Sequence, residues 1–386
     1  DVSALNGTTG FRLDGTASYD AAGRLVSGAG DVNGDGFDDI IIGAERADSG
    51  GDSSGDSYVV FGKASGFDAS IDLSTLDGTT GFRLDGVAAG DKAGRVSRAG
   101  DVNGDGFDDV IIGAYSADPN GNSSGSSYIV FGKASGFSAS FDLSTLDGTT
   151  GFRLDGEDGN DRSGYSVSAA GDVNGDGFDD VIIGAIFATP PVEGHYTSGS
   201  SYVVFGKASG FAAATDLSTL NGTTGFRLDG AAPRDRFGAS VSAAGDVNGD
   251  GFDDIIIGAY AADPSSLSNA GSCYVVFGKA SGFAASIDMS TLDGTTGFRL
   301  DGVAAGDDAG RSVSAAGDVN GDGFDDIIVG APRANPAGDD SGASYVVFGK
   351  ASGFAASIDL STLDGTTGFR LDGVDAGDQT GRASSG

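Results

Sequence analysis

The chain is poor in the residues that most often build reactive or disulfide-bonded sites. Its 386 residues contain one Cys, one His, one Met, seven Pro and no Trp. A single thiol excludes an internal disulfide framework and a Cys-rich zinc site. A single imidazole, His195, allows at most one serine-type triad or His-ligated metal, and no carboxylate pair or nucleophile accompanies it in the pattern, so it reads as a surface residue. Positive charge is scarce too: 22 Lys and Arg stand against 56 Asp and Glu, a formal net charge of −34. Nucleic-acid backbones and anionic membrane surfaces both require clustered Lys and Arg, so neither is an expected partner. No apolar run approaches the roughly 18 residues that span a bilayer. An initiating Met and a signal peptide are absent as well, and the chain opens within a repeat. It therefore reads as a processed piece or a fragment of a larger chain or assembly.

Glycine is abundant, at 70 residues, and 39% of the chain is hydrophobic, in short regular bursts that can build a core. Those bursts repeat, and repetition is the first thing to settle in any sequence. Gly-Phe-Arg-Leu-Asp-Gly occurs six times, with its Phe at Phe11, Phe82, Phe152, Phe226, Phe298 and Phe369. Asp-Val-Asn-Gly-Asp-Gly-Phe-Asp-Asp occurs five times, from Asp31, Asp101, Asp172, Asp246 and Asp318, at spacings of 70, 71, 74 and 72 residues. Tyr-(Val/Ile)-Val-Phe-Gly-Lys-Ala-Ser-Gly-Phe keeps step with them from Tyr58, Tyr128, Tyr202, Tyr274 and Tyr345.

Each unit holds four short segments of strand character, in the third copy Ser166–Ala170, Asp180–Ile183, Ser201–Phe205 and Gly225–Asp229. They are rich in Val, Ile, Tyr and Phe and are separated by Gly, Asp and Ser. No apolar period of 3.6 is sustained, so helices are minor. Four strands repeated five times predict an all-β chain, a β-propeller of four-stranded antiparallel blades at about 21–86, 92–156, 162–230, 236–302 and 308–373. Residues 1–15 and 374–386 would supply partial blade strands, with a further first strand expected at Arg382–Gly386. The competing arrangement is a linear solenoid, for which a 70-residue coil is long.

The aspartate string places oxygen donors at positions 1, 3, 5, 7 and 9 of a loop. The expected metal ligands are Asp31, Asn33, Asp35, Phe37 and Asp39; Asp101, Asn103, Asp105, Phe107 and Asp109; Asp172, Asn174, Asp176, Phe178 and Asp180; Asp246, Asn248, Asp250, Phe252 and Asp254; Asp318, Asn320, Asp322, Phe324 and Asp326. The Phe contributes its backbone carbonyl. Hard oxygens around a tight Gly reversal suit Ca²⁺, and suit Mg²⁺ less. Position 12, the bidentate Glu of an EF-hand, is Ile or Val in every copy, so the ninth-position Asp must ligate directly. Asp38 and its equivalents at position 8 are expected to point away. About five structural Ca²⁺ would bring the formal charge from −34 to −24. The alternative is a set of solvated turns without metal, since Asn-Gly and Asp-Gly make good hairpins.

The run Phe237-Gly238, Ser240-Val241-Ser242-Ala243-Ala244-Gly245, the aspartate loop and Gly258-Ala259 resembles the FG-GAP repeat, the blade of integrin α-subunit propellers and of many bacterial extracellular proteins. Phe-Gly is literal only at Phe237-Gly238, and Gly-Ala-Pro only at Gly330-Ala331-Pro332. The resemblance implies a calcium-stabilised propeller serving adhesion or ligand binding at the cell surface or as a secreted protein, without catalysis. The five near-identical units look like recent tandem duplication, and the low Cys with high Gly and Asp content looks like large bacterial surface or secreted proteins. A structural subunit of a sheath, filament or surface layer is the alternative, and a glycan-processing propeller a further one.

In antiparallel blades the connections alternate between the two ends of the sheet. The aspartate loop then shares an end with the link between strands three and four. The opposite end carries the connections in which the copies differ, and there Tyr115, Phe187, Tyr196 and Tyr260 are candidates for contacting a protein or glycan ligand. Two details complete the expectations. The Arg residues Arg12, Arg83, Arg153, Arg227, Arg299 and Arg370 would pair between blades. The second copy, Gly94-Arg95-Val96-Ser97-Arg98-Ala99-Gly100, is one residue short, which would flip its first strand unless a bulge disappears.

Overall fold

The computed structural model describes residues 2–383; the first strand expected at Arg382–Gly386 lies partly outside them. The described residues contain no α-helix, only strands and three-residue 3-10 turns. Among the described residues no helix is long and apolar enough to cross a membrane. Two compact units are formed. The first comprises residues 1–164 with 206–217, and the second residues 165–205 with 218–386.

The first unit contains two blades. Blade one is Leu25–Gly30, Asp39–Ala44, Asp56–Val60 and Gly81–Asp85; blade two is Arg95–Gly100, Asp109–Ala114, Ser126–Val130 and Gly151–Asp155. The second unit contains three: Ser163–Gly171, Asp180–Ala185, Ser200–Val204 and Gly225–Asp229; Ser240–Gly245, Asp254–Ala259, Ser272–Val276 and Gly297–Asp301; and Ser312–Gly317, Asp326–Ala331, Ala343–Val347 and Gly368–Asp372. In each, the four strands pair in chain order and antiparallel. The expected four-stranded blades are thus present, with the third-copy strands displaced by no more than three residues.

The two middle strands of a blade have both faces covered. Asp109–Ala114 and Ser126–Val130 are buried at every residue, which is why they read as continuous Val and Ile runs without alternation. Blades approach so closely that only glycine fits at the contact. A Cβ on Gly43 would lie 2.0 Å from the carbonyl oxygen of Gly94, and one on Gly258 2.0 Å from that of Gly310. The Gly-Ala step of one repeat is therefore seated on the turn that opens the next.

A fifth strand completes four of the blade sheets and the first Gly-Phe-Arg-Leu-Asp segment, and the sequence pattern did not reveal it. The link between strands three and four contains a three-residue strand that pairs in parallel with the fourth strand of the preceding repeat. Ser140–Asp142 pairs with Arg83–Asp85, and Ser286–Asp288 with Arg227–Asp229. A parallel pair needs a long crossover, and the intervening residues, 86–139 in the first case, supply it. The same link fixes an aromatic stack between repeats: Phe82 lies 4.7 Å from Phe137, and Phe226 4.6 Å from Phe283, centroid to centroid. Lys133 and Lys279 cap those stacks from 4.9 Å. The fourth strand of blades one to four is thereby covered rather than left open.

Two expectations are corrected. The short second copy does not flip: Val96 faces Ile112 as Val26 faces Ile42, and the Arg98/Gly100 bulge is kept as at Gly28/Gly30. The missing residue is taken from the turn entering the strand, so Arg95 opposes Gly113 where Leu25 opposes Gly43. The six Arg pair within their own strand, two residues on, rather than between blades; Arg227–Asp229 spans 2.7 Å and Arg299–Asp301 2.6 Å. Residues i and i+2 share a strand face, which makes this the shortest available partner. His195 is half-buried, with Nδ1 withdrawn from solvent and without a hydrogen-bond partner.

Candidate metal centre

The aspartate loops join strands one and two, and antiparallel pairing brings them beside the start of the link that follows strand three. The ninth-position Asp shows the arrangement. Asp109 accepts from the Val102 amide at 3.0 Å and from the Gly132 amide at 2.9 Å, one on each carboxylate oxygen. Asp39, Asp254 and Asp326 make the same pair of bonds. This residue closes its own loop and ties it to strand three.

Positions 1, 3 and 5 line the loop. Asp31 receives the amides of Asp35 and Gly36 at 3.0 and 2.8 Å, Asn33 that of Asp35 at 2.8 Å, and Asp35 that of Phe37 at 3.0 Å. Asp101 and Asp105, Asp172 and Asp176, Asp246 and Asp250, and Asp318 and Asp322 repeat this order. Gly36 adopts φ of +88°, the left-handed reversal that wraps the loop. The rings of Phe107, Phe252 and Phe324 lie against Gly34, Gly175 and Gly249 of the preceding loop, so at position 7 a ligand to an ion would be the backbone carbonyl.

Burial in this crowd of carboxylates is electrostatically costly. The Asp109 carboxyl is pushed up to about 8, chiefly by burial, with the charges of Asp105 and Asp101 adding to it. Asp254 rises to about 8 and Asp39 to about 6 for the same chief reason. Like charges held together out of water are relieved by protons or by a cation.

The donor set fits a hard cation: three carboxylates, a carboxamide and a carbonyl per loop, with no sulfur or imidazole. One loop carries a sharper sign. In the third, Asn174 Oδ1 is buried and has no hydrogen-bond partner, whereas its counterparts Asn33, Asn103, Asn248 and Asn320 each accept the amide of the fifth position. A bound cation would supply what an acceptor-only oxygen lacks there. The side chains stand turned to the loop amides, and among the described residues no three Asp, Glu, His or Cys converge as a finished cage.

Position 8 points away from its own loop, as expected, and in blades two, four and five its carboxylate reaches the loop of the preceding blade. Asp108 accepts the Asp31 amide at 2.8 Å while its own amide donates to the Asp31 carbonyl at 3.2 Å. Asp253 does the same for Asp172, and Asp325 for Asp246. Beside it the position 7 ring covers the fourth-position glycine: a Cβ on Gly34 would stand 2.2 Å from Phe107. Within one loop the Phe has only its carbonyl to offer and the Asp no partner; the neighbouring loop engages both side chains.

At the far end of the sheets, three of the four candidate aromatics are half-buried under cations. Arg95 lies 5.1 Å above Tyr115, Arg236 4.2 Å above Phe187, and Arg311 4.6 Å above Tyr260. Tyr196 is 68% exposed.

Comparison with known proteins agrees with this architecture. The FG-GAP repeat family matches residues 22–60, 93–130, 163–204, 237–276 and 309–347, a little over half of the chain. Phosphatidylinositol-glycan-specific phospholipase D of Bos taurus is 31% identical over 181 residues, covering 47% of this chain and 20% of that protein. Integrin alpha pat-2 of Caenorhabditis briggsae is 32% identical over 244 residues, 61% of this chain and 18% of that protein. Integrin alpha-PS2 of Drosophila melanogaster is 37% identical over 110 residues, 28% of this chain and 7% of that protein. The chain thus spans a fifth or less of these relatives. Its five repeats, blade sheets and interlocked loops place it in one family: the chain belongs to the FG-GAP repeat proteins and has their integrin-like propeller blades.

Proposed function

We propose that the chain is a calcium-stabilised propeller module, 1–386, that binds a protein or glycan ligand outside the cell, as an adhesive or recognition surface and without catalysis. The observation that carries the calcium part is the fivefold oxygen-only loop, with the donorless Asn174 Oδ1 in one copy. Each loop would hold one Ca²⁺ through the side chains at positions 1, 3, 5 and 9 and the carbonyl at 7. The ion's role is structural, since it neutralises carboxylates that the fold has already buried. A rigid scaffold with variable loops at its far end suits recognition, and Tyr196, with Tyr115, Phe187 and Tyr260 behind it, is where we place the ligand contacts. The net charge of −34 disfavours nucleic acid as that ligand.

Two relatives named integrins favour the adhesive reading, and one named a phospholipase keeps an enzymatic one in view. Against the latter, His195 and Cys273, the single imidazole and the single thiol, stand apart from any acid–base pair that breaks the repeat. Calorimetric titration tests the metal reading. About five Ca²⁺ per chain, with Mg²⁺ binding far more weakly, is expected; no heat of Ca²⁺ binding would reduce the loops to turns. A glycan and protein array, probed with the chain and with Tyr196→Ser, tests the recognition reading.

A further inference from the structure

At the far end of the sheets one backbone pair recurs between repeats. An amide in the turn that precedes strand one donates to a carbonyl in the earlier connection between strands two and three. Gly90 donates to Asp52, Asn160 to Asn122 and Gly306 to Ser268. Each of these is a glycine or an asparagine on a short polar residue. Between blades three and four the same bond joins the Arg234 amide to the Tyr196 carbonyl at 3.2 Å. Both members are large there, and both side chains are exposed.

The turn holds Arg234 against its backbone preference. Its φ is +68°, in the left-handed region where its counterparts Gly90 and Gly306 stand at +90° and +85°. Backbone strain of this kind concentrates at binding sites. The Arg234 guanidinium has no partner among the described residues. The other arginines around it are engaged: Arg236 lies over Phe187, Arg311 over Tyr260, and Arg333 is 3.0 Å from Asp308. Asp235, next in the chain, is buried. The facing connection departs from the repeat as well, since residues 186–199 join strands that 260–271 and 332–342 join in blades four and five. Pro190 and Pro191 in that connection and Pro233 in the turn are three of the chain's seven prolines. They stiffen the backbone beneath Tyr196 and Arg234, so less freedom is lost on binding.

We propose that Tyr196 and Arg234 form a recognition site for a single Asp or Glu carboxylate of a protein partner. This rests on the reading that the far end binds a ligand, and it names the group that is bound. A free guanidinium takes a carboxylate through two parallel N–H···O bonds. Tyr and Arg are also the side chains that protein interfaces concentrate at their strongest contacts. The net charge of −34 selects the source of the carboxylate. An acidic polysaccharide repeats its charge along its length and is repelled as a whole, whereas a protein can present one carboxylate on a neutral or basic surface.

Short random peptides displayed on phage, selected on the 386-residue chain at about 0.15 M salt, test this. Recovered peptides are then measured by fluorescence anisotropy against the parent and three variants. They are expected to carry Asp or Glu, and to lose binding when that residue is changed to Asn or Gln. Arg234→Gly is expected to weaken binding about tenfold. Arg234→Lys should restore only part of it, because it keeps the charge without the fork. Arg234→Gly installs the residue that other repeats carry at this turn, so its melting temperature should equal or exceed the parent's, which separates lost binding from lost fold. Recovery of no binding peptide overturns the proposal, as does binding indifferent to the peptide carboxylate or to Arg234→Gly. If Tyr196→Ser abolishes binding while Arg234→Gly does not, the far end still recognises a ligand and the carboxylate assignment alone fails. If neither variant matters, both fall. A glycan array carrying neutral and monocarboxylated sugars is the second arm: an Arg234-dependent sugar acid, with no peptide bound, overturns the protein source.

Discussion

The two ends of each blade are held by different chemistry. At the aspartate-loop end, side chains cross from blade to blade: the carboxylate of Asp253 takes the Asp172 amide, and the Phe252 ring covers Gly175. At the opposite end backbone-to-backbone bonds tie the repeats, beside the Arg236–Phe187 and Arg311–Tyr260 contacts. The Ala93 amide reaches the Ser54 carbonyl at 2.8 Å, and the Phe237 amide the Ser198 carbonyl at 2.9 Å. A backbone tie asks nothing of the side chain, so the connection above it can vary. That is where Ile186–Ser200 is expanded and Tyr196 exposed. A side-chain latch asks for one residue at one place, and the aspartate loops are identical in all five copies over nine residues. Uniformity at one end and variation at the other both follow from how the blades are joined.

The sharpest way to break this contrast is at the ninth position. Asp109→Ala removes the acceptor of two buried amides, and a loss of about 3–4 kcal/mol in urea unfolding is expected. Calcium stoichiometry should fall by one site in the same variant. Asp253→Ala spares the ligands of every loop but removes the buttress of the third. We expect a loss of about 1–2 kcal/mol and a weaker third site at unchanged stoichiometry. If Asp253→Ala instead leaves calcium affinity untouched at all five sites, the loops are independent and the latch is only a packing contact.

The far end offers a test with the opposite chemistry. Burial pushes Asp235 up to about 7, the nearby charge of Asp263 adds to this, and Arg299 opposes it. A carboxyl raised above its unfolded value stabilises the fold when protonated. Its contribution is therefore present at low pH and is lost as the pH rises through about 7. Asp235→Asn should remove about 1 kcal/mol of the fall in stability between pH 5 and 8. The smallest effect is expected at the tip: Tyr196→Ser should change stability by less than about 0.5 kcal/mol while abolishing any ligand found on that end.

What was legible in the sequence was what repeats in type and spacing. Val and Ile bursts gave the second and third strands, and Gly-Phe-Arg-Leu-Asp gave the fourth, as at Gly225–Asp229. The donor positions of the loops could be counted directly. What was hidden were partners between repeats. Ser140–Asp142 is too short to announce itself as a strand, and it forms one only because Arg83–Asp85 of the preceding repeat pairs with it. The Lys-Ala-Ser-Gly-Phe run recurs five times, yet its role depends on Phe137 meeting Phe82, 55 positions earlier. Asp108 looked idle for the same reason, since its partner is the Asp31 amide in another blade. Arg227 erred the other way: its partner, Asp229, is local.

The central claim is that the aspartate loops are cation sites built into the fold. Thermal unfolding in millimolar Ca²⁺ against excess chelator, with Mg²⁺ as control, tests it most directly. Five sites each saturated about a hundredfold contribute on the order of 10 kcal/mol, which for a chain of this length is a rise of about 10–15 °C. The account predicts that rise for Ca²⁺ and a much smaller one for Mg²⁺. Equal melting temperatures in Ca²⁺ and chelator would contradict it and leave the loops as hydrogen-bonded turns.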